Sequence, residues 1–350
     1  MLIKPFSSTI RRREMDAVLT CMVEEKIGPG DLMVRLINLA KEKFSVSGAI
    51  ALRSPAIALN YALSLLNLED GAGVILSALA PSWQYQCVLT AGLKPMPVDV
   101  SIETGLVDVD LVKEGITNGG RVLVLYESLG QVPDFKKFED LNIPIIEDIS
   151  QNAGAKYFHN DGENTIEKPV GSFGVFSILG LEEQDIITAG GGAVLMAPNK
   201  RDWPVLEKKI EIAPITDILP DINSALAWVQ LKEHKRNETI RSQMYDIYAR
   251  SLQQGKHKTF SRITENASPI VYSFPVILES GYSEVKAYAL RKEIEIAQAF
   301  DHSIITIFPE ACVNCQQAQS LAFRCALFPL YPRLGGKKAE KVAKVLATLP

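Results

Sequence analysis

An acidic loop without lysine is the first segment of this sequence whose side chains could take part in a reaction. Residues 176–194 read FSILGLEEQDIITAGGGAV, which predicts an apolar strand, an acidic turn and a glycine-rich bend into a second strand. The turn carries Glu182, Glu183 and Asp185, and no lysine occurs between residues 171 and 199. Loops between the strands of an α/β domain commonly carry functional residues. A carboxylate can act as a general base when burial raises its pKa, so Glu182 and Glu183 are candidate catalytic residues.

A second candidate site follows the predicted strand IPIIED. Asp148 stands at the carboxyl end of this strand, where open parallel sheets bind ligands. A carboxylate at this position could hold a protonated ring nitrogen, and Gln151, three residues on, could reach the same ligand. The alternative is that Asp148 caps the next turn. The local sequence leaves both interpretations open.

The segment RSPAIALNYALSLL offers a possible phosphate cup. Ser54 is typical of a helix N-cap and Pro55 of the first helical position, and helix N-termini bind anions. Ser54 and Ala56 are therefore candidate cofactor contacts. The alternative is an ordinary capped helix. Pro55 removes a backbone donor and Ala56 brings no hydroxyl, and both facts favour that alternative.

Metal chemistry has weak support in the sequence. Cys312 and Cys315 form a single C-x-x-C pair, which would suit zinc or redox chemistry, but no second pair completes a familiar spacing. Five cysteines, an odd number, indicate reduced thiols. We therefore predict two ordinary thiols and no metal. We also expect His159 to lie in an exposed loop and His234 on a solvated helix face.

These residues need a sheet to position them, and the pattern predicts one. Short β-branched runs alternate with helical segments from about residue 48 to 194, which predicts a mostly parallel sheet with helices on both faces. The predicted strands are 49–52, 73–78, 94–100, 121–127, 143–148, 174–179, 191–197 and, later, 269–278. The predicted helices are 9–25, 31–44, 55–66, 84–91, 108–115, 134–141, 221–253, 283–300 and 337–346.

Composition narrows the classes of function. The 350 residues are 47% hydrophobic and 22% charged with a net charge of −4, which is ordinary for a globular protein. Nucleic-acid binding would need a basic patch, and the sequence has none. No apolar run approaches the ~20 residues of a membrane span, and the N-terminus lacks the apolar core of a signal peptide. We expect a cytoplasmic protein without nucleic-acid or membrane partners.

Taken in order, several segments resemble the DegT/DnrJ/StrS family of sugar aminotransferases. The resemblance runs nearly end to end through LGQVPD, EDISQNAGA, GSFGVFS, GGGAV, SALAWVQLKE and FPLYPRL. It implies the fold type I of pyridoxal-phosphate enzymes: a three-layer α/β/α large domain with a mostly parallel sheet, and a small α+β C-terminal domain. We place these domains at residues 1–235 and 236–350. The resemblance also implies a homodimer.

The same resemblance assigns roles to some residues and leaves others without a match. It makes Asp148 the partner of the cofactor's pyridine nitrogen, Gln151 a neighbour of the ring hydroxyl and Ser177 a phosphate contact. The family's cofactor lysine falls on Glu182, and its SGT phosphate loop reads Ser54-Pro55-Ala56. Its NYRM segment aligns with residues 216–219. The family's ring-stacking aromatic residue falls near Pro81, and Trp83 is the nearest substitute.

Three hypotheses follow from these departures. The first is a pyridoxal-phosphate aminotransferase acting on a nucleotide-linked keto-sugar, which the missing lysine disfavours. The second is a pyridoxamine-dependent or otherwise altered enzyme, since some relatives without the lysine are sugar dehydratases, with Glu182 or Glu183 as base. The third, which we favour, is a non-catalytic protein that binds a sugar nucleotide or an active paralogue. Any cofactor would be pyridoxal or pyridoxamine phosphate.

Overall fold

The computed structural model describes residues 2–161, 164–262 and 266–350. Its strands are β1 (Gly48–Leu52), β2 (Gly73–Ser77), β3 (Lys94–Val98), β4 (Gly120–Tyr126), β5 (Ile145–Asp148), β6 (Lys156–Asp161), β7 (Asn164–Pro169), β8 (Phe176–Gly180), β9 (Ala193–Ala197), β10 (Ala267–Ser268), β11 (Phe274–Ile277), β12 (Ala297–Gln298) and β13 (Cys325–Phe328). Its α-helices are α1 (Arg12–Val23), α2 (Asp31–Phe44), α3 (Pro55–Leu65), α4 (Ser82–Thr90), α5 (Val109–Thr117), α6 (Trp203–Glu211), α7 (Asp221–Leu252), α8 (Tyr282–Arg291), α9 (Ile304–Ile307), α10 (Gln316–Arg324) and α11 (Gly336–Leu346). Short 3-10 helices span Ser128–Gly130, Phe135–Phe138, Ile215–Asp217 and Pro309–Cys312.

The central sheet has seven strands in the order β1-β9-β8-β5-β4-β2-β3. β9 runs antiparallel to both β1 and β8, and the remaining neighbours pair in parallel. Every residue of β1, β2, β5, β8 and β9 is buried, because helices cover both faces of the sheet. The mostly parallel α/β sheet predicted from the sequence is therefore confirmed, and so is the fold class.

Two smaller three-stranded sheets complete the architecture. β6 and β7 form an antiparallel hairpin that β10 extends, and β13 pairs with β11 and β12. His159, which we expected in an exposed loop, lies on strand β6 of this hairpin. Residues 162–163 lie outside the described part of the chain.

Helix α7 connects two hydrophobic cores. Its first half packs Ala227 and Leu231 into the core around the central sheet, and its second half packs Met244, Tyr248 and Leu252 into the core of the C-terminal elements. The helix runs through residue 235 without a break. The division into domains at residues 235 and 236 thus remains a prediction, and any boundary there would lie inside one continuous helix.

Three predicted elements are shorter than expected. The helix predicted over 283–300 ends at Arg291, because Glu293 adopts a left-handed φ of 59° and the chain then turns into β12. The segment 134–141 forms only the 3-10 helix Phe135–Phe138. The strand predicted over 269–278 is limited to the four residues of β11.

Candidate functional site

A cavity of about 360 Å³ opens at the carboxyl ends of β4 and β5, and we call it the main cavity. Tyr126 and Asp148, the last residues of these strands, line it. It is also lined by the acidic loop, Tyr272, Pro55 at the start of α3 and residues 299–303. This is the edge of a parallel sheet at which ligands are expected.

Backbone hydrogen bonds fix one wall of this cavity. The amide of Ser82 donates to the carbonyl of His302 (2.9 Å), and the amides of Ile304 and Ile305 donate to Ala80 (2.8 Å) and Ala78 (3.0 Å). The segment after β12 is thereby attached to the segment that follows β2. Main-chain hydrogen bonds therefore contribute to the position of this wall.

Asp148 lies at the floor of the main cavity and is 1% exposed. Its Oδ2 accepts a hydrogen bond from Gln84 Nε2 (2.7 Å), and its Oδ1 accepts from the amide (3.1 Å) and hydroxyl (2.5 Å) of Ser150. Burial raises the pKa of this carboxyl, and these hydrogen bonds oppose the rise. Asp148 therefore caps the following turn, as one interpretation predicted, and it also lines the cavity; its contact with a ligand ring stays a prediction.

Ser150 and Gln151 connect the floor to the surrounding loops. The Ser150 hydroxyl also accepts from the amide of Gly180 (2.9 Å), the last residue of β8. Gln151 lines the main cavity, and its Oε1 accepts from the amide of Leu129 (2.8 Å). The sequence analysis did not identify Ser150 or Gln84. Ser150 follows Asp148 by two residues, which is the spacing of an Asx turn, whereas nothing local marks Gln84.

The acidic loop forms a closed turn above this floor. The amide of Glu182 donates to Asp185 Oδ2 (2.8 Å), and the amide of Asp185 donates to the carbonyl of Glu182 (3.1 Å). Glu182 and Glu183 are exposed at the rim, whereas Asp185 is half-buried. Burial, aided by the charges of Asp148 and Glu182, raises the pKa of Asp185 to about 8. Asp185 can therefore hold a proton near neutral pH.

Two tyrosines complete the acidic side of the main cavity. Tyr126 is 5% exposed, and its hydroxyl has no hydrogen-bond partner among the described residues. The Tyr272 hydroxyl donates to the carbonyl of Gln184 (2.7 Å). Burial, with the charge of Asp185 next, raises the pKa of Tyr272, and burial together with Asp148 does the same for Tyr126. The free hydroxyl of Tyr126 can therefore donate to a ligand.

Two further buried carboxyl groups, Glu147 and Glu127, lie near the main cavity, and Glu147 binds the loop before β8. Glu147 accepts hydrogen bonds from the amides of Gly171 (3.0 Å), Phe173 (2.8 Å) and Gly174 (2.8 Å). Glu127, also fully buried, accepts from Asn152 Nδ2 (2.6 Å). Burial and the neighbouring Glu147 raise the pKa of Glu127 well above its usual range. Neither Glu127 nor Glu147 lines the main cavity; their hydrogen bonds hold the segments next to it.

Three of the predicted cofactor contacts lie outside the main cavity. The Ser177 hydroxyl is buried and donates to the carbonyl of Gly171 (2.7 Å). Ser54 caps α3 by accepting from the amide of Ile57 (3.2 Å), and the carbonyl of Ala56 faces the thiol of Cys87. Asp148, Gln151, Trp83, Glu182 and Glu183 do line the cavity. The described structure thus brings five of the eight predicted site residues together.

The other candidate residues lie elsewhere. His234 was predicted on a solvated face, and this was wrong: its ring packs against Gly154, its Nε2 is buried, and burial lowers its pKa to about 3. His159 lies on β6, 3.2 Å from a Glu139 carboxylate oxygen. Cys312 and Cys315 are buried and contact each other. Within the described residues, no group of three or more His, Cys, Asp or Glu side chains is arranged to hold a metal ion.

Pyridoxal phosphate, the cofactor implied by the sequence resemblance, needs an amine for its aldehyde, an acceptor for its ring nitrogen and donors for its phosphate. Asp148 can supply the ring acceptor, and Trp83 can supply an aromatic face. The described lining of the main cavity contains five carboxylates, one histidine and neither lysine nor arginine. The described lining therefore offers groups for the ring of the cofactor but no amine for its covalent link.

Comparison with known proteins identifies relatives. The model of the DegT/DnrJ/EryC1/StrS aminotransferase family matches residues 8–205 and 216–347. GDP-perosamine synthase of Escherichia coli O157:H7 is 25% identical over 203 residues, which cover 57% of this chain and 54% of that protein. L-Glutamine:2-deoxy-scyllo-inosose aminotransferase of Micromonospora echinospora is 29% identical over 161 residues, 44% of this chain and 36% of that one. The chain thus spans about half or less of the length of these relatives.

Solved structures support the same fold. The aminotransferase TlmJ of Streptoalloteichus hindustanus superposes with a TM-score of 0.85 at 16% identity, covering 99% of this chain and 97% of that one. The Escherichia coli GDP-4-keto-6-deoxy-D-mannose-3-dehydratase with bound hydrated PLP gives 0.85 at 15% identity, with coverage of 99% and 100%. At these identities the likeness establishes the fold alone. No helix in the described ranges is both long and apolar enough to cross a membrane.

Proposed function

Because the chain belongs to the DegT/DnrJ/EryC1/StrS aminotransferase family, we propose that it is a sugar-binding member that does not carry out Schiff-base transamination. The observation that carries this proposal is the composition of the main cavity, whose described lining has no lysine. Glu182 stands where the resemblance places the cofactor lysine, and a carboxylate cannot form a Schiff base.

The remaining chemistry of the main cavity suits a polyhydroxylated ring. Carboxylates accept hydrogen bonds from hydroxyl groups, and Trp83 and Tyr126 offer aromatic surface and a free donor. The names of the relatives above refer to a sugar nucleotide and to a cyclitol. We propose a ligand of this class, a sugar or cyclitol that is either free or linked to a nucleotide.

An absorption spectrum tests the first half of this proposal. Purified protein is mixed with pyridoxal phosphate at neutral pH, and we expect no absorption band of an internal aldimine. After borohydride treatment, we expect mass analysis to show no covalent adduct. An aldimine band with a borohydride-stable adduct would overturn the proposal. Calorimetric titration with nucleotide sugars and free sugars then tests ligand binding separately.

A second candidate function is favoured by Asp185. A half-buried carboxyl with a pKa of about 8 can exchange a proton at neutral pH, as general acid–base catalysis requires. The protein would then be an altered enzyme, such as a dehydratase working with pyridoxamine phosphate. Saturable binding of pyridoxamine phosphate, with turnover that Asp185→Asn abolishes, would favour this alternative over a binding protein.

We also propose that the protein acts as a homodimer or as the partner of an active paralogue. Helix α1 exposes Met15, Leu19, Met22 and Val23, each at least half exposed, at helical spacing. A run of apolar side chains of this kind is typical of an interface. Light scattering of wild-type protein and of Leu19→Glu tests this: a dimer that the charge dissociates supports it, and a monomeric wild type contradicts the homodimer.

A further inference from the structure

A small cavity beside the main one contains a buried arginine without a partner. It measures about 40 Å³, and Arg241 of α7, Ser273 and Tyr272 line it. We call it the Arg241 cavity. A single water needs roughly 10–15 Å³ of such space, so this volume accommodates a planar group of a few heavy atoms.

Arg241 is 8% exposed, and its Nε and Nη1 have no hydrogen-bond partner. Ser273 is 6% exposed, and its hydroxyl is also unpartnered. Buried polar groups in folded proteins are nearly always paired, and an unpaired guanidinium is especially unfavourable. Arg241 and Ser273 thus line one cavity and each carries a buried donor without a partner, which indicates that an acceptor is missing near them.

The nearest opposite charge does not fill this role. Glu238 lies one turn before Arg241. Its Oε1 accepts a hydrogen bond from the amide of Val271 (2.9 Å), and its Oε2 is buried without a partner. Burial raises the pKa of Glu238, which weakens its ability to neutralise the guanidinium. Asp185 and Glu183 also border the cavity, but the Asp185 carboxylate is bound to the amide of Glu182.

We propose that the Arg241 cavity binds a carboxylate group through the guanidinium of Arg241 and the hydroxyl of Ser273. A guanidinium presents a planar set of donors that matches the two oxygens of a carboxylate. The carboxylate belongs either to a small free acid or to a sugar acid that extends past Tyr272, which lines both cavities. This site does not depend on the function proposed for the main cavity.

Calorimetric titration with sodium acetate, sodium D-glucuronate and D-glucose tests the proposal in the full-length protein. We expect saturable binding of at least one carboxylate and none of glucose. Arg241→Gln should weaken this binding at least tenfold, and Ser273→Ala should weaken it less. Glu238→Gln should strengthen it, because a competing negative charge is removed. Arg236→Gln, an exposed arginine of the same helix, is the matched control and should bind like the wild type.

The results of these titrations distinguish the two possible sources of the carboxylate, a sugar acid and a small free acid. Glucuronate that binds more tightly than acetate identifies a sugar acid, whereas equal affinities identify a free small acid. The proposal is overturned if neither carboxylate binds, or if Arg241→Gln binds as the wild type does. Should Arg241→Gln fail to fold, Ser273→Ala and Glu238→Gln decide, because the proposal requires them to shift the affinity in opposite directions.

Discussion

Replacing Asp185 with asparagine should remove a large pH dependence from the stability of this protein. The pKa of Asp185 is about 8 in the folded state, against an ordinary value of 3.8 for an exposed aspartate. The folded state therefore binds this proton more tightly than the unfolded state does. Stability is highest below the unfolded pKa and falls as the pH rises from about 4 to about 8.

The size of the effect follows from the difference in pKa. About four pKa units correspond to roughly 5–6 kcal/mol, since each unit is about 1.4 kcal/mol. Asp185 is partly accessible to the main cavity, so solvent screening reduces this figure, and we expect about 2–3 kcal/mol at pH 8.5. Asparagine retains an oxygen that can accept from the amide of Glu182, so the turn itself should persist.

The assay is denaturant unfolding at several pH values between 5 and 9. Asp185→Asn should be more stable than the wild type at pH 8.5, and the difference should shrink toward pH 5. Glu183→Gln removes an exposed carboxylate from the same loop and should leave the pH profile unchanged. Parallel profiles for the wild type and Asp185→Asn would refute the reasoning, as would a variant that is less stable at pH 8.5.

Two further substitutions test the site. Glu182→Lys should produce an aldimine band with pyridoxal phosphate that the wild type and Glu183→Lys do not show; no band in Glu182→Lys would mean that residue 182 is not the lysine position. Gln84→Leu should lower the free energy of unfolding by about 1.5–3 kcal/mol, because Asp148 loses a buried donor. Gln86→Leu on the exposed face of the same helix is its control, and equal effects in urea unfolding would contradict a role for the Asp148 contact.

The sequence predicted the central sheet well because its signals are local. Most of its strands are short apolar runs, and the Ser54-Pro55 pair predicts the start of α3 at the residue where it occurs. The prediction of a helix over 283–300 was too long because the helix ends near Glu293, which adopts a left-handed φ. Glutamate rarely adopts this conformation, so its presence in a sequence does not predict the end of a helix.

The site was only partly predictable because its contacts are long-range. Asp148 and Gln151 were found from their position after β5, but Gln84 reaches Asp148 across 64 residues of sequence. Likewise, nothing near Asp185 in the sequence shows that burial raises its pKa. His234 has charged neighbours on its helix, and its ring is buried against Gly154, which lies far from it in sequence.

The backbone attachment between residues 78–82 and 302–305 gives the main cavity one rigid side and one adjustable side. Opening the rigid side would break several main-chain hydrogen bonds at once, whatever side chains are present. The acidic turn is held instead through side chains, by the bond from the Glu182 amide to Asp185 and by the bond from the Tyr272 hydroxyl to the carbonyl of Gln184. Ligands of different size would therefore be accommodated by movement of the acidic turn, so evolutionary change in specificity should concentrate there while the opposite wall keeps its shape.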